Sequence, residues 1–277
     1  MILGPWVDRL IALALEEDLG CGDVTSEGIF RATAEGRGVF RAKGDLICAG
    51  LFLLPKIYHR LDPKVEITFF SFDGEAACRG TVLAEAAGPL SALLVGERTC
   101  LNFLQQLSGV ASLTRRYVDC VEGFRCRIVD TRKTIPGWRA LQKYAVRVGG
   151  GQNHRFGLSD GILIKDNHVK ACGDLASAVR EARRSAPFTV KVEVECASLD
   201  EVARAMEAGV DIVMLDNMGV ADMREAVRLV AGRVLVEASG GITLENVREV
   251  AATGVDLISI GALTHSAPAA DIHMKLA

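Results

Sequence analysis

The sequence predicts an α/β protein with a small mixed sheet followed by a series of parallel strands and helices. Short β-type runs alternate with turn residues between about residues 34 and 90. From residue 127 onward, short apolar runs alternate with amphipathic helical patterns, as in parallel βαβ units. Hydrophobic residues make up 49% of the 277 residues and aromatic residues only 5%. This composition favours a sizeable core in which helices pack tightly on sheets.

The N-terminal part begins with an amphipathic helix, predicted over residues 5–18, and a turn or cap at Asp23–Ser26. The first segment lacks a basic region and soon reaches acidic residues, so we expect a helix and not a signal peptide. A further helix is expected near Leu51 to Leu61. Apolar residues then recur at helical spacing from Ala92 to Val121, which predicts a long helix that crosses between two domains and that Gly109 could break.

The second part carries six strand-like runs with helical patterns between them. The predicted strands are Arg127–Asp130, Gly161–Lys165, Thr189–Glu195, Asp211–Asp216, Val234–Ala238 and Asp256–Ile260. The predicted helices are Gly137–Val148, Gly173–Arg184, Ser198–Ala208, Val220–Ala231 and Leu244–Thr253. Five or six such units favour a barrel, or most of one. An open sheet stays an alternative, because periodicity does not show whether a sheet closes.

Charge and cysteine content limit the classes of function. The net charge of −3 argues against a general nucleic-acid or membrane-surface binder. No apolar run approaches the ~20 residues that a membrane-spanning helix requires. The eight cysteines are scattered, without a CxxC pair or a Cys/His spacing typical of zinc sites. We therefore expect reduced thiols in a cytoplasmic protein without nucleic-acid or membrane partners.

One stretch, residues 130–168, concentrates positive charge around the triplet Gly149–Gly151. Its cationic and histidine residues are Arg132, Lys133, Arg139, Lys143, Arg147, His154, Arg155, Lys165 and His168, against only three acidic residues. Basic residues at strand ends beside flexible backbone indicate a pocket for a small, highly anionic ligand. For the three cations of the predicted helix at 137–148, spaced by four residues, a solvated helix face is the alternative interpretation.

Several predicted strands end on acidic or small residues that a packed core would not select. Glu193 and Glu195 alternate with valines on one strand face, Asp216 ends the next strand, and Glu237 lies near the end of the fifth. In α/β barrels the carboxyl ends of the strands form the active site, so these acids would face Lys165 and the arginines. A single acid of this kind could instead only cap the following helix. Two separated carboxylates opposite phosphate-binding cations suit Mg²⁺.

The run Ser239-Gly240-Gly241-Ile242-Thr243 predicts a glycine turn that enters a helix, where backbone amides can bind phosphate. Gly261 supplies the neighbouring loop after the last strand. A tight turn without a ligand is the alternative. Because Walker A and GxGxxG patterns are absent from the sequence and no serine or cysteine sits at the strand-to-helix turn of a nucleophile motif, we expect electrostatic stabilisation of phosphorylated and carboxylated small molecules and no covalent intermediate.

These residues also support a specific family resemblance. The segments that carry it are DTRKTIPGWRALQKYAVRVGGGQNHRFGLSDGILIKDNHV, VEVECASLDEVARAMEAGVDIVMLDN and VEASGGITLENV, with EEDLGCGDVTS, GERTCLNFLQQLSGVAS and DIHMKL elsewhere. In this order they closely resemble quinolinate phosphoribosyltransferase, also called nicotinate-nucleotide pyrophosphorylase (carboxylating). The resemblance spans nearly the whole chain. Its departures are small: Trp138 stands where Leu or Phe is expected, and Val148 stands where Cys is expected.

The resemblance implies transfer of a phosphoribosyl group from phosphoribosyl pyrophosphate (PRPP) to quinolinate, with release of CO₂ and pyrophosphate, in de novo NAD biosynthesis. It implies an N-terminal α/β sandwich domain over residues 1–110 and an incomplete, open (β/α) barrel over residues 111–265. Residues 266–277 can then pack back on the first domain. It also implies Mg²⁺ bound with PRPP, and a homodimer or larger homo-oligomer with shared active sites.

The resemblance further implies roles for individual residues. Arg98, from the partner subunit, would reach a quinolinate carboxylate. Thr131, Arg132, Lys133, His154 and Arg155 would line the quinolinate and pyrophosphate pocket, and Lys165 would contact the phosphoribosyl donor. Glu195 and Asp216 would hold ribose hydroxyls or Mg²⁺, with Lys133 as a third catalytic residue. Ser239, Gly240, Gly241 and Gly261 would cradle the 5′-phosphate.

This function has two alternatives, one inside the same family and one from another class of protein. The first is the molybdenum-transport-associated homologue of the family, which resembles the chain around Thr131-Arg132-Lys133-Thr134 but diverges at the intact segment Ile164–His168. The second is a non-catalytic barrel that binds a phosphorylated metabolite. The set of candidate metal acids beside the anion pocket favours an enzyme over the second alternative.

Overall fold

The structure is a computed structural model that describes residues 4–29 and 34–277. Its contacts divide the chain into two compact units. The first comprises residues up to Arg115 together with Thr134–Gly150 and Leu263–Ala277. The second comprises Arg116–Lys133 and Gly151–Ala262.

The helices and strands follow one another in an order that changes character after the long central helix. Up to that helix they are α1 (Pro5–Leu19), α2 (Val24–Ile29), β1 (Glu35–Ala42), β2 (Leu46–Ile47), α3 (Leu53–Leu61), β3 (Glu66–Phe69), β4 (Ala76–Ala77), β5 (Val82–Pro89) and α4 (Leu90–Cys120). Beyond it they are β6 (Arg127–Val129), α5 (Arg139–Val148), β7 (Ile162–Ile164), α6 (Asp166–Cys172), α7 (Leu175–Ser185), β8 (Val192–Cys196), α8 (Leu199–Glu207), β9 (Ile212–Asp216), α9 (Val220–Val230), β10 (Leu235–Ser239), α10 (Val247–Ala251), β11 (Leu257–Ser259), α11 (Ala262–His265) and β12 (Ile272–Leu276).

The first unit is built on a four-stranded antiparallel sheet of order β12-β1-β5-β3. Apolar side chains of the sheet and of α3 form its core, with Phe40, Tyr58 and Leu83 fully buried. The Tyr58 hydroxyl donates a hydrogen bond to the Leu93 carbonyl over 3.2 Å, which satisfies the one polar atom of this buried side chain. The last strand, β12, pairs with β1, so the end of the chain returns to the first sheet.

The long helix α4 is continuous, and the break considered at Gly109 is wrong. A Cβ atom at residue 109 would lie 2.1 Å from the carbonyl oxygen of Pro268. The glycine therefore permits close approach of another segment and does not interrupt the helical hydrogen bonds.

Residues 134–150 belong to the first unit, whereas the barrel domain was expected to begin at residue 111. The Trp138 ring stacks on Phe103 with 4.7 Å between the ring centroids. The Gln142 amide donates to the Thr264 carbonyl, and the Tyr144 hydroxyl donates to Asp73. The solvated face considered for α5 is also wrong, because Lys143 is only 1% exposed.

The second unit contains six parallel strands in the order β6-β11-β10-β9-β8-β7. The first two strands of the series, β6 and β7, are thus the two edges of the sheet. A single bridge between Val129 and Gln152 continues the pairing beyond β6 within the described residues. This is the expected incomplete, open (β/α) barrel, and every strand predicted for it is present within a few residues of its predicted limits.

Three short helices are additional to the prediction: α2, α6 and α11. Asp23–Ser26, expected as a turn or cap, leads into α2, and the cap is confirmed, because the Asp23 carboxylate accepts the backbone N–H groups of Thr25 and Ser26. The expected end of β7 runs directly into α6, where the Lys165 backbone N–H donates to His168 Nδ1 over 2.9 Å. His168 therefore orients this loop. None of the described helices combines the length and apolar character needed to cross a membrane.

Candidate active site

The carboxyl ends of the barrel strands surround one cavity of about 520 Å³. Parallel pairing places Glu195, Met214 and Glu237 side by side on three neighbouring strands, so their side chains share the barrel interior. The residues that line the cavity are Thr131, Arg132, Lys133, His154, Arg155, Leu163, Lys165, Glu195, Met214, Asp216, Asn217, Glu237, Ser239 and Ser259. Nine of them are residues that the sequence analysis proposed for the site.

The cavity wall carries four cationic side chains. Arg132 and Lys133 follow β6, in a turn where the Lys133 backbone N–H donates to Thr131 Oγ1 over 3.0 Å. Lys165 follows β7 and forms an ion pair with Glu195. Burial and then the positive charge of Arg132 lower the pKa of Arg155. Cations close enough to destabilise one another can bind an anion with more than one negative charge.

A buried carboxylate anchors the loop that carries His154 and Arg155. Asp130 is fully buried at the end of β6. It accepts the His154 backbone N–H over 2.9 Å and the Asn153 side-chain amide over 2.6 Å. In the sequence, Asp130 is only one of three acids in a basic stretch. Its position at the end of an apolar strand, directly before the Thr131–Lys133 turn, is the feature of the sequence that could have indicated its role in the site.

The side chain of His154 lies between two buried acids. Its Nε2 atom is 3.2 Å from Glu193 Oε2 and 3.4 Å from Glu237 Oε2. The two carboxylates favour a positive charge on the imidazole, whereas burial and the Arg155 N–H that faces Nδ1 oppose it, so the ring is neutral with its proton on Nε2. Burial raises the pKa of Glu193, while the hydrogen bond from His154 acts in the opposite direction. On the other side of the ring, Nδ1 accepts the Arg155 backbone N–H over 2.8 Å.

The glycine turn after β10 has the backbone that the sequence analysis expected. Gly240 and Gly241 have φ values of +90° and +62°, which favour glycine. Asn217, with φ +54°, donates its backbone N–H to the Ser239 carbonyl over 2.9 Å. A Cβ atom at residue 240 would lie 2.2 Å from Asn217 Oδ1. The turn is therefore packed against the loop that follows Asp216.

The helix expected to follow this turn begins later than predicted. It was placed at Leu244–Thr253, but α10 spans only Val247–Ala251. The Asn246 side chain accepts the Thr243 N–H and donates to the Gly241 carbonyl, so a side-chain-stabilised turn occupies the predicted first helical turn. Turn amides, and not the start of a long helix, are the backbone donors available to a phosphate. Gly261 follows the lining residue Ser259 by two positions in the next loop.

Arg98 lies on α4 in the first unit and is exposed. Three further residues have no role implied by the resemblance: Asn217 packs on the glycine turn, and Glu193 and Glu237 hold His154. The strand pattern showed that these two acids point into the barrel. It could not show that one histidine contacts both, because β9 separates their strands.

Both parts of the chain match a known family. The model of the quinolinate phosphoribosyl transferase N-terminal domain matches residues 23–108, and that of the C-terminal domain matches residues 110–275. A probable nicotinate-nucleotide pyrophosphorylase (carboxylating) of Bacillus subtilis is 45% identical over 261 residues, which cover 94% of this chain and 90% of the relative. Its counterpart in Synechocystis is 41% identical over 279 residues and covers 100% of this chain and 93% of the relative.

Solved structures give the same result for the fold. NadC from Streptococcus pyogenes superposes with a TM-score of 0.96 at 40% identity, covering 100% of this chain and 99% of that one. The nicotinate-nucleotide pyrophosphorylase from Francisella tularensis superposes with a TM-score of 0.95 at 37% identity, covering 100% and 98%. The chain therefore belongs to the quinolinate phosphoribosyltransferase family and is a nicotinate-nucleotide pyrophosphorylase (carboxylating), a phosphoribosyltransferase of NAD biosynthesis.

Proposed function

We propose that the cavity at the carboxyl ends of the barrel strands binds quinolinate and PRPP and joins them to form nicotinate mononucleotide, CO₂ and pyrophosphate. One observation carries this assignment: four cations from three segments, after β6, before β7 and after β7, converge on the cavity that Glu195 and Asp216 also line. Both substrates are polyanions. The negative charge that develops on pyrophosphate has the cations nearby, and the positive charge that develops on the ribose has the two carboxylates nearby.

Arg132 and Arg155 are the proposed partners of the two quinolinate carboxylates. A planar guanidinium can donate two parallel hydrogen bonds to one carboxylate, which fixes the orientation of the pyridine ring as well as its position. The ring nitrogen then attacks C1′ of the ribose, and the bond from C1′ to the pyrophosphate oxygen breaks. Lys133 and Lys165 stabilise the negative charge that accumulates on the departing pyrophosphate.

Glu195 and Asp216 are the proposed partners of the ribose. Loss of pyrophosphate leaves positive charge on C1′ and the ring oxygen, which nearby carboxylates stabilise. When CO₂ leaves, the electron pair of the broken carbon–carbon bond stays on the ring carbon until a proton binds there. The adjacent pyridinium nitrogen and the cations Arg132 and Lys133 stabilise this carbanion. Ser239 and the glycine turn are the proposed 5′-phosphate site.

The carboxylates at positions 195 and 216 are also suitable in kind for Mg²⁺, which takes few protein ligands and several substrate or water oxygens. Both line the cavity and are partly exposed. Glu195 already has Lys165 as a partner, so a metal would share this carboxylate with a cation. Mg²⁺ bound with PRPP would neutralise pyrophosphate charge, and Glu195 and Asp216 would hold it.

The proposed working unit is a homodimer, or a larger assembly of such dimers, in which Arg98 of the partner subunit completes the quinolinate site. The exposure of Arg98 in the described structure supports this assignment, because an exposed arginine is available to a second chain. A cytoplasmic location is proposed as well. All eight cysteines lie in the described part of the chain and carry free thiols, as in a reducing compartment.

Pyrophosphate release and nicotinate mononucleotide formation test the proposal directly. The purified chain is supplied with PRPP and either quinolinate or nicotinate, each with Mg²⁺ and with excess EDTA. We expect turnover with quinolinate and Mg²⁺, and loss of turnover with EDTA. Turnover of nicotinate in place of quinolinate would contradict the substrate assignment. An absence of turnover with either acid would instead support the non-catalytic alternative.

A further inference from the structure

The barrel interior contains two buried acids that the proposed chemistry does not use. Glu193 on β8 is 4% exposed and Glu237 on β10 is 1% exposed. Buried carboxylates cost free energy unless hydrogen bonds or opposite charges compensate. Both place one oxygen, Oε2, within 3.4 Å of His154 Nε2. A single imidazole N–H is thus shared by two acids from strands that are not neighbours in the sheet.

The surroundings of the second ring nitrogen, Nδ1, determine whether this cluster holds a proton or a metal ion. His154 Nδ1 accepts the Arg155 backbone N–H over 2.8 Å, so it presents a lone pair and the ring proton is on Nε2. The three side chains could by distance also surround a metal ion. A histidine that binds a metal through Nε2 directs an Nδ1–H at an acceptor, whereas this Nδ1 faces a donor. The geometry therefore favours a proton between His154 and the acids.

The same contacts connect the acids to the substrate cavity. The His154 ring is held at Nε2 by Glu193 and Glu237, and its Nδ1 in turn holds the backbone of Arg155. The Arg155 guanidinium donates to the Gly161 carbonyl over 2.8 Å and lines the cavity. A guanidinium recognises a carboxylate only in a narrow range of orientations, so the position of its backbone affects binding.

We propose that Glu193 and Glu237 are positioning residues for the quinolinate subsite, which act through the His154 ring on Arg155. This inference rests on the proposed function, because it takes the pyridine dicarboxylate as the ligand of Arg155. In this arrangement His154 lines the cavity, but protein atoms engage both of its ring nitrogens. Quinolinate binding then depends on the two acids, and PRPP binding does not.

Paired substitutions separate a hydrogen-bonding role from a requirement for volume or charge. Glu237→Gln and Glu193→Gln keep an oxygen that accepts the Nε2–H, whereas Glu237→Met and Glu193→Met fill similar space without an acceptor. With the methionine variants we expect the quinolinate Kd and KM to rise about tenfold or more, because a supporting hydrogen bond of a binding residue is lost. The PRPP KM should stay within about twofold, and the glutamine variants should stay within about threefold for both substrates.

Direct quinolinate titration of every variant keeps the outcomes distinct. If the wild-type chain neither binds nor converts quinolinate, the proposed function fails. If it does both and the methionine variants match it, the positioning role fails alone. A parallel rise in the KM of both substrates, or equal losses in the glutamine and methionine variants, would also overturn it. Thermal unfolding identifies variants that are not folded. If a methionine variant is not folded, the glutamine variants are compared with the wild-type chain instead.

Nitrogen-15 NMR of the histidine rings provides a readout that does not depend on activity. We expect the wild-type His154 ring as one tautomer with the proton on Nε2, and a mixture of tautomers in the methionine variants. The signal is assigned by its loss in His154→Asn. A stoichiometric divalent ion that EDTA removes, with the proton found on Nδ1 before removal, would replace this inference with a metal site.

Discussion

The side chains of Arg132 and Lys133 are exposed directly after β6. Their substitution should therefore affect substrate binding much more than folding. We expect Arg132→Ala and Lys133→Ala to change the free energy of unfolding by no more than about 0.5 kcal/mol. Removal of one partner of a desolvated charge pair should lower kcat/KM for quinolinate by about a hundredfold. Steady-state kinetics and chemical unfolding measure both quantities.

Arg180→Ala is the matched control, because Arg180 is an exposed cation on α7 that donates a hydrogen bond to Ser177 on the same helix. It should leave kcat/KM unchanged. Full activity in folded Arg132→Ala and Lys133→Ala variants would show that the cationic pocket does not supply the catalysis assigned to it.

Gly240 and Gly241 differ in a way that a pair of substitutions can exploit. Both have positive φ, so alanine at either position costs about 1 kcal/mol of backbone strain. Only at position 240 would the new methyl group collide with Asn217, at 2.2 Å, whereas no atom lies within 4 Å of a Cβ at position 241. Gly240→Ala should therefore raise the PRPP KM about tenfold or more, and Gly241→Ala much less. If Gly240→Ala and Gly241→Ala raised the PRPP KM by the same factor, this account of the turn would be wrong.

At the scale of the helix, Gly109 in α4 is a contact point. An alanine usually stabilises a helix relative to glycine by up to about 1 kcal/mol. At position 109 its methyl group would lie 2.1 Å from the Pro268 carbonyl oxygen, and backbone cannot move aside as a side chain can. We expect Gly109→Ala to destabilise the protein by about 2 kcal/mol or more, measured by denaturant unfolding.

Gly28 in α2 provides the comparison, because no atom lies within 4 Å of a Cβ at that position. Gly28→Ala should be neutral or slightly stabilising. If Gly109→Ala proved equally neutral, the close approach to Pro268 would not be a constraint on the fold.

At the scale of the whole molecule, shared active sites can be tested with hybrid dimers. An Arg98→Ala chain and a Lys133→Ala chain, each with its own purification tag, are co-expressed and isolated as the mixed dimer. If Arg98 of the partner subunit completes each site, one of the two sites is intact, and we expect about half of the wild-type activity. If each barrel uses its own Arg98, both sites are damaged and activity falls to the level of the parents.

The reciprocal hybrid reverses these expectations. A wild-type chain paired with the Arg98→Ala, Lys133→Ala double variant should be inactive when sites are shared, because each site lacks one residue. It should keep about half of the activity when they are not shared. The two hybrids together distinguish sharing from a general loss of the dimer.

The sequence by itself determined the alternation of strands and helices, because burial on both faces of a parallel strand leaves an apolar run of recognisable length. It also placed Arg132, Lys165, Glu195 and Asp216 at one end of the barrel, since the carboxyl ends of parallel strands meet there. It could not indicate that Gly109 is a contact with Pro268, because that requires segments about 160 residues apart in sequence to be brought together.

Only the tertiary structure decided how the interior charges are compensated. In the chain, α8, β9 and α9 lie between Glu193 and Glu237. The two-residue period of a strand predicts the face on which each side chain lies, but not the residue that it contacts. The contact of both with His154 follows from the curvature of the sheet and from the anchoring of the His154 loop by Asp130. Local pattern determines which way a side chain points; the distance between two side chains depends on every element packed between them.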